Sequence, residues 1–166
     1  MAKLLDLYEK NIDCIPDDNK ILNDEYNILI ASFNNIRYIS NINKFSNLTG
    51  LNLGWNKINI IPSSLFKLTK LKSLNLNYNN IYKIPASISK LSKLEVLGLA
   101  SNNIKYIPDS LYNITSLRKL WLYNNKIINI SDNILNLGNL RELYLFGNNN
   151  IKIPKLLLNL NINVRL

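Results

Sequence analysis

Five asparagines, Asn56, Asn79, Asn102, Asn125 and Asn148, stand 23 residues apart, and each closes a segment of the form L-x-x-L-x-L-x-x-N. A period this strict leaves few folds open. The chain must be a stack of copies of one small unit, and its function must be sought on a surface that recurs from copy to copy.

The leucine triplets are Leu48/Leu51/Leu53, Leu71/Leu74/Leu76, Leu94/Leu97/Leu99, Leu117/Leu120/Leu122 and Leu140/Leu143/Leu145. After each Asn the chain usually runs x-I-x-x-I-P-x-x-I/L-x-x-L, and Pro16, Pro62, Pro85, Pro108 and Pro154 all follow an isoleucine, which marks a turn. Upstream, Tyr26, Leu29, Ala31, Asn34, Ile36 and Ile39 form a 22-residue copy with Ser40 in the proline slot, and Leu5, Leu7, Ile12, Ile15 and Pro16 form a divergent first copy with Lys10 in place of the Asn. The organisation read from this register is one domain over 1–166. A divergent N-terminal repeat occupies 1–25, a 22-residue repeat 26–47 and five 23-residue repeats 48–162, and a terminal strand begins at 163–166.

In L-x-L the alternation has period two, so both leucines face one side of a short strand and the residue between them faces the other. Stacked copies build a parallel sheet on one wall. The later apolar residues recur at three-residue spacing, which suits a short helix or 3₁₀ turn on the opposite wall, with a continuous core between. The repeated Asn turns the chain out of the strand, where its amide can satisfy backbone groups that would otherwise be buried unpaired.

The motif resembles that of the leucine-rich repeat family across essentially the whole chain, and the 23-residue form with Ile-Pro looks most like the intracellular class that includes Ras-pathway scaffold proteins. The resemblance implies an α/β solenoid: a right-handed horseshoe with the parallel sheet on its concave face and short helices or 3₁₀ turns on its convex face. It also implies a non-catalytic protein-interaction module.

A single cysteine, Cys14, excludes an intramolecular disulfide framework. No run approaches the ~20 apolar residues of a membrane span, and Met1 to Lys10 carries Asp6 and Glu9 and does not read as a signal peptide. The expectation is an intracellular, cytoplasmic protein without a membrane partner. Residues 1–25 carry seven acidic and three basic side chains, and residues 26–166 carry four acidic and 17 basic, which makes the net charge of +9 strongly uneven. Such asymmetry favours an anionic partner or head-to-tail attraction.

Numbered from the first leucine of each motif, the third, fifth, seventh and eighth positions face outward on the concave wall. The fifth runs Ile30, Asn52, Asn75, Gly98, Trp121, Tyr144; the seventh runs Ser32, Gly54, Asn77, Ala100, Tyr123, Phe146; the eighth runs Phe33, Trp55, Tyr78, Ser101, Asn124, Gly147. Trp121, Tyr123, Tyr144 and Phe146 therefore fall on neighbouring strands about 4.8 Å apart and are expected to make one exposed aromatic patch. Beyond the small residues Gly98, Ala100 and Ser101 stand Trp55 and Tyr78, so the expected relief is a trough between two aromatic walls. Arg118, Lys119, Arg141 and Glu142 supply its polar rim. Exposed aromatics rimmed by arginine are the usual composition of a protein-binding hot spot. The competing expectation is that these rings only pack on one another along the sheet. A second alternative is nucleic-acid binding through a basic and aromatic concave surface, against which stands the scatter of the lysines over the outside.

An enzymatic reading has little to rest on. There is no histidine, Cys14 has no imidazole to activate it, and Glu95 and Glu142 lie two repeats apart. No phosphate-cradling glycine loop, cofactor motif or metal-ligand cluster occurs in the sequence. At the C-terminal end, Leu156, Leu157, Leu158, Leu160, Ile162, Val164 and Leu166 form a last apolar layer without a polar cap, an edge through which two copies are expected to pair as a homodimer.

Overall fold

The computed structural model describes residues 3–16, 25–159 and 162–166. Leu158 to Asn161, whose side chains include part of the expected C-terminal apolar layer, and the acidic residues Asp17, Asp18 and Asp24 fall outside what is described of side chains.

Eight three-residue strands form one parallel sheet in sequence order: β1 Leu4–Asp6, β2 Ile28–Ile30, β3 Gly50–Asn52, β4 Ser73–Asn75, β5 Val96–Gly98, β6 Lys119–Trp121, β7 Glu142–Tyr144 and β8 Asn163–Arg165. The central residue of each strand is the second leucine of its motif, and these stack in register: Leu5 on Leu29, Leu29 on Leu51, Leu51 on Leu74, through to Leu143 on Val164. Register partners are 24 residues apart at β1/β2 and 22 at β2/β3, then 23 at each of the next four pairs. At β7/β8 the spacing falls to 21, which makes Val164 the inward residue of the last strand.

On the opposite wall every described segment of helix is 3₁₀. Ser63–Lys67, Ala86–Lys90, Asp109–Asn113 and Asp132–Asn136 are representative. The backbone bonds show why the three-residue spacing selects this form. Leu65 N–H donates to Pro62, Leu68 to Leu65 and Leu71 to Leu68, so one chain of i→i+3 bonds carries the inward leucines, with Phe66 buried beside them. Proline starts these turns because its φ is already fixed and it has no N–H to leave unpaired. Pro62, Pro85 and Pro108 are extended, and Ser131 serves instead by accepting from Asn133 N–H at 3.2 Å. The leucines and isoleucines between the walls form a single buried cluster from Ile15 to Leu157.

The repeated asparagines are the polar spine of this core. Asn79 is typical: its Oδ1 accepts from Ile58 N–H of the preceding repeat at 2.9 Å, and its Nδ2 donates to Leu53 of that repeat at 2.9 Å and to Leu76 and Asn77 of its own at 3.2 Å. Asn34, Asn56, Asn102, Asn125 and Asn148 likewise accept from an N–H of the repeat before, so each ties two copies together while satisfying groups that the turn removes from the sheet ladder.

Candidate recognition surface

Four rows of side chains leave the concave wall, and local backbone geometry separates them. The eighth motif position adopts a left-handed conformation in every repeat, with φ of 58° at Phe33, 55° at Trp55 and 55° at Tyr78, and Gly147 at 71°. That conformation turns the chain from the strand toward the ladder asparagine. It costs an ordinary L-residue about 1–2 kcal/mol, and it throws the eighth side chain onto the rim at the carboxyl ends of the strands. There the rings pack: Tyr8 is tilted against Phe33 at 5.4 Å, and Phe33 stacks on Trp55 at 5.1 Å and Trp55 on Tyr78 at 3.9 Å, both nearly parallel. Each such pair returns about 0.5–1.5 kcal/mol beyond its buried area.

Tyr123 and Phe146, from the seventh position, continue this rim and stack at 4.6 Å. The Tyr123 phenol is pushed up to about 12, first by burial and then by the Tyr78 hydroxyl that faces it. The two phenols therefore approach across the small Ser101, and the gap expected between the aromatic walls is narrowed there. Packing along the sheet accounts for Trp55, Tyr78, Tyr123 and Phe146 at this level, although Trp55 and Phe146 keep 48% and 39% of their surface open.

Trp121 and Tyr144 occupy a different level, in register on β6 and β7. The four expected aromatics are thus split between two rows of the same wall, and the stacked pair among them is Tyr123 with Phe146. Both rings are half-buried. Arg165 of β8 lies 4.9 Å from the Tyr144 ring centre. Trp121 stands beside Gly98, and its Nε1 is covered without a bond of hydrogen-bond geometry, although it leans toward the Glu142 carboxylate.

Below Trp121 the sheet opens into a concavity of about 500 Å³. Trp121 bounds one end and Ile28 and Ile30 the other, with Gly50, Ser73, Val96, Asn52, Asn75 and Gly98 between them. Trp55, Tyr78 and Tyr123 do not line it, so the hollow lies closer to the amino ends of the strands than the expected trough. Glycine at 98 is required by a neighbour: a Cβ there would sit 2.7 Å from Asn77 Oδ1, the atom that accepts from Ala100 N–H at 2.8 Å. On the floor, Asn52 Oδ1 and Asn75 Oδ1 accept from Gly54 N–H and Asn77 N–H, at 3.1 and 2.9 Å. This orients both amides with Nδ2 left to donate.

The rim charges pair among themselves. Lys119 Nζ lies 2.7 Å from Glu142 Oε1, a bond that holds the Glu142 carboxyl below its usual value. Glu95 lies 3.8 Å from Lys72 Nζ and 3.9 Å from Arg118 Nε. Exposed pairs of this kind contribute little stability. Arg141 folds back on its own chain, donating to the Leu140 carbonyl at 2.9 Å. Lys72, Arg118, Lys119, Arg141 and Arg165 outnumber Glu95 and Glu142 on β4 to β8 and the residues that lead into them, so the Trp121 end is positive, whereas Asp6 stands beside Ile30 at the other end.

Comparison with known proteins now decides the family. Residues 28–159 match a model described as a leucine-rich repeat region. The chain is a leucine-rich repeat protein. No curated protein matches it significantly. Among solved structures, this leucine-rich repeat chain is similar to one of Leptospira interrogans, at 31% identity and a TM-score of 0.81, with 86% of this chain and 37% of that one covered. An internalin of Listeria monocytogenes aligns at 27% identity and 0.76, covering 98% and 47%. The plant peptide hormone receptor RGFR1, solved in complex with RGF2, aligns at 29% identity and 0.69, covering 78% and 21%. The chain spans less than half the length of each of these proteins.

Two features of the leucine-rich repeat surface escape motif reading. Tyr8 is the seventh position of the divergent first copy, legible once Leu5 and Leu7 are placed on the ladder. Ile28 is the third position of the 22-residue copy, and its role appears only when the wall of the concavity is seen.

Proposed function

We propose that the concavity from Ile28 to Trp121 holds an extended segment of a protein or peptide lying across strands β2 to β6. The observation that carries the reading is the step from the Trp121 ring down to Gly98, which has no side chain, and on to the small Ser73 and Gly50, with the Asn52 and Asn75 amides on the same floor. A main chain needs such a floor, because it brings carbonyls to accept from Nδ2 and side chains to fill against an apolar wall. Trp121 is the anchor and Tyr144 extends it. Arg118, Lys119 and Arg141 at the mouth favour an acidic residue in the ligand at the Trp121 end. Trp55, Tyr78, Tyr123 and Phe146 form the upper rim. The complex of the plant receptor RGFR1 with RGF2 supports a ligand of this class for the fold.

The test is selection of linear peptides from a displayed random library on the full chain. Selected clones are expected to lose at least tenfold in affinity against Trp121→Ala and against Asn52→Ala/Asn75→Ala, with circular dichroism unchanged. Clones that bind the folded variants as well as they bind the parent would place recognition elsewhere.

A further inference from the structure

A second face of the solenoid carries a pattern that the concave site does not use. In repeats two to seven the chain leaves each strand through eight residues, 32–39, 54–61, 77–84, 100–107, 123–130 and 146–153. Each of these six segments holds one basic residue, Arg37, Lys57, Lys83, Lys105, Lys126 or Lys152, and none holds an Asp or Glu. All six cations are exposed. The four acidic residues after residue 26, Glu95, Asp109, Asp132 and Glu142, all lie outside these segments. Elsewhere on the molecule the lysines are interspersed with them.

The same edge also gathers apolar surface. Of the twelve large hydrophobic side chains exposed among the described residues, five are Tyr38, Ile60, Tyr82, Tyr106 and Ile128, each in one of these segments. Three more in the same segments, Phe33, Trp55 and Phe146, stand with Tyr8 on the rim where the segments leave the strands. Tyr82 and Tyr106 flank a hollow of about 530 Å³ into which Lys83, Lys105 and Lys126 also face, and Lys105 Nζ lies 5.3 Å from the Tyr106 ring centre. Water-exposed Tyr and Ile alternating with long cationic side chains is the composition of a surface that sits at a membrane interface: rings and aliphatic tips enter the headgroup region while ammonium groups remain at the phosphates.

We propose that this edge docks the protein peripherally on an anionic lipid bilayer. The regularity argues for a laterally uniform partner. One cation on each of six adjacent repeats, at the strand spacing of about 4.8 Å, makes a band about 24 Å long that continues on both sides of the Tyr82/Tyr106 hollow, whereas a folded protein partner would favour a single cluster. Single-stranded nucleic acid would use the tyrosines as stacking platforms, but it has no use for the exposed Ile60 and Ile128. The first repeat ends the face, because its equivalent stretch carries Glu9 and Asp13 against one cation, Lys10. None of the residues lining the concavity lies in these segments, so lipid docking and segment binding are compatible.

The experiment is co-sedimentation of the full chain with vesicles of phosphatidylcholine alone and with added phosphatidylserine, over a salt series, with single-stranded homopolymer RNA as a separate arm. Binding is expected only to the serine-containing vesicles, and it should weaken as salt rises. Lys105→Gln/Lys126→Gln should weaken it about 30-fold, each cation near an anionic surface counting for about one kcal/mol. Tyr82→Ser/Tyr106→Ser should weaken it with the salt dependence retained, and Trp121→Ala should leave it unchanged. All these side chains are exposed or peripheral to the core, and circular dichroism confirms folding. Equal binding to neutral vesicles, no binding to either, or RNA capture lost in the same variants without vesicle binding would each overturn the proposal.

Discussion

Replacing Asn79 by alanine tests the coupling of repeats at its most exposed assumption, that a buried side-chain amide substitutes for missing sheet bonds. Four hydrogen bonds are lost. They are not equivalent. Asn77 O also accepts from Trp55 N–H, and Leu53 O and Leu76 O retain donors from Asn56 and Asn102. Ile58 N–H, in contrast, keeps no acceptor, and it belongs to a fully buried residue. An orphaned buried N–H costs about 1–3 kcal/mol and the bond to Leu53 about 0.5–1.5 more, so the variant should lose about 2–4 kcal/mol. For a chain of this length that lowers the melting temperature by about 4–16 °C. Urea unfolding followed by circular dichroism gives the energy, and hydrogen exchange at the Ile58 amide gives its location. Asn80→Ala, one residue on and exposed, should stay within about 0.5 kcal/mol. An Asn79→Ala variant as stable as the parent, with Ile58 exchange unchanged, would refute the reasoning.

Gly98→Ala should destabilise the protein by displacing the Asn77 amide from Ala100 N–H, and Asn77→Ala should absorb most of that cost, so that a double-mutant cycle in urea shows strong coupling between the two sites. Tyrosine titration by ultraviolet absorbance should show Tyr112 and Tyr123 lagging, each near 12. Burial raises Tyr112, whose hydroxyl has no bond of good geometry although the Ser131 backbone is close enough to soften the shift. Both groups hold their protons longer when folded, so stability should be complete below about pH 10, the ordinary value, and fall as pH rises toward 12. Tyr112→Phe should remove one lagging phenol without loss of stability. Glu142 shifts the other way: held below 4.5 chiefly by Lys119, its carboxylate contributes stability that is present above that value and is lost as pH falls through the lower folded one, a loss that should be smaller in Lys119→Gln on acid unfolding.

Much of the fold is legible in the sequence because its determinants are local and repeated. The leucine alternation places Leu51 on Leu74 in the sheet, the three-residue spacing of Leu65, Leu68 and Leu71 becomes a chain of 3₁₀ bonds, and the asparagines make the inter-repeat bonds their spacing implies. The relief of the concave face is less legible, because it depends on where side chains lean and on which backbone conformation carries them. The left-handed eighth position lifts Trp55 and Tyr78 to the rim, and the Tyr78 phenol reaches toward Tyr123 over Ser101. Trp121, by contrast, stays on the sheet over Gly98, and the hollow opens beside it. Motif position alone treats all these rings as one surface. The strand spacing of 21 at β8 is likewise set by pairing with β7, against the count of 23 that the preceding copies lead one to extend.

The chain has two tryptophans, one on each level of this surface, so their indole N–H signals report separately on the central claim. In a nitrogen-15 correlation spectrum, adding a selected peptide ligand should shift the Trp121 indole together with the side-chain amides of Asn52 and Asn75, and leave the Trp55 indole in place. Shifts confined to Trp55 and the outer wall, with Trp121, Asn52 and Asn75 unmoved, would contradict recognition in the concavity.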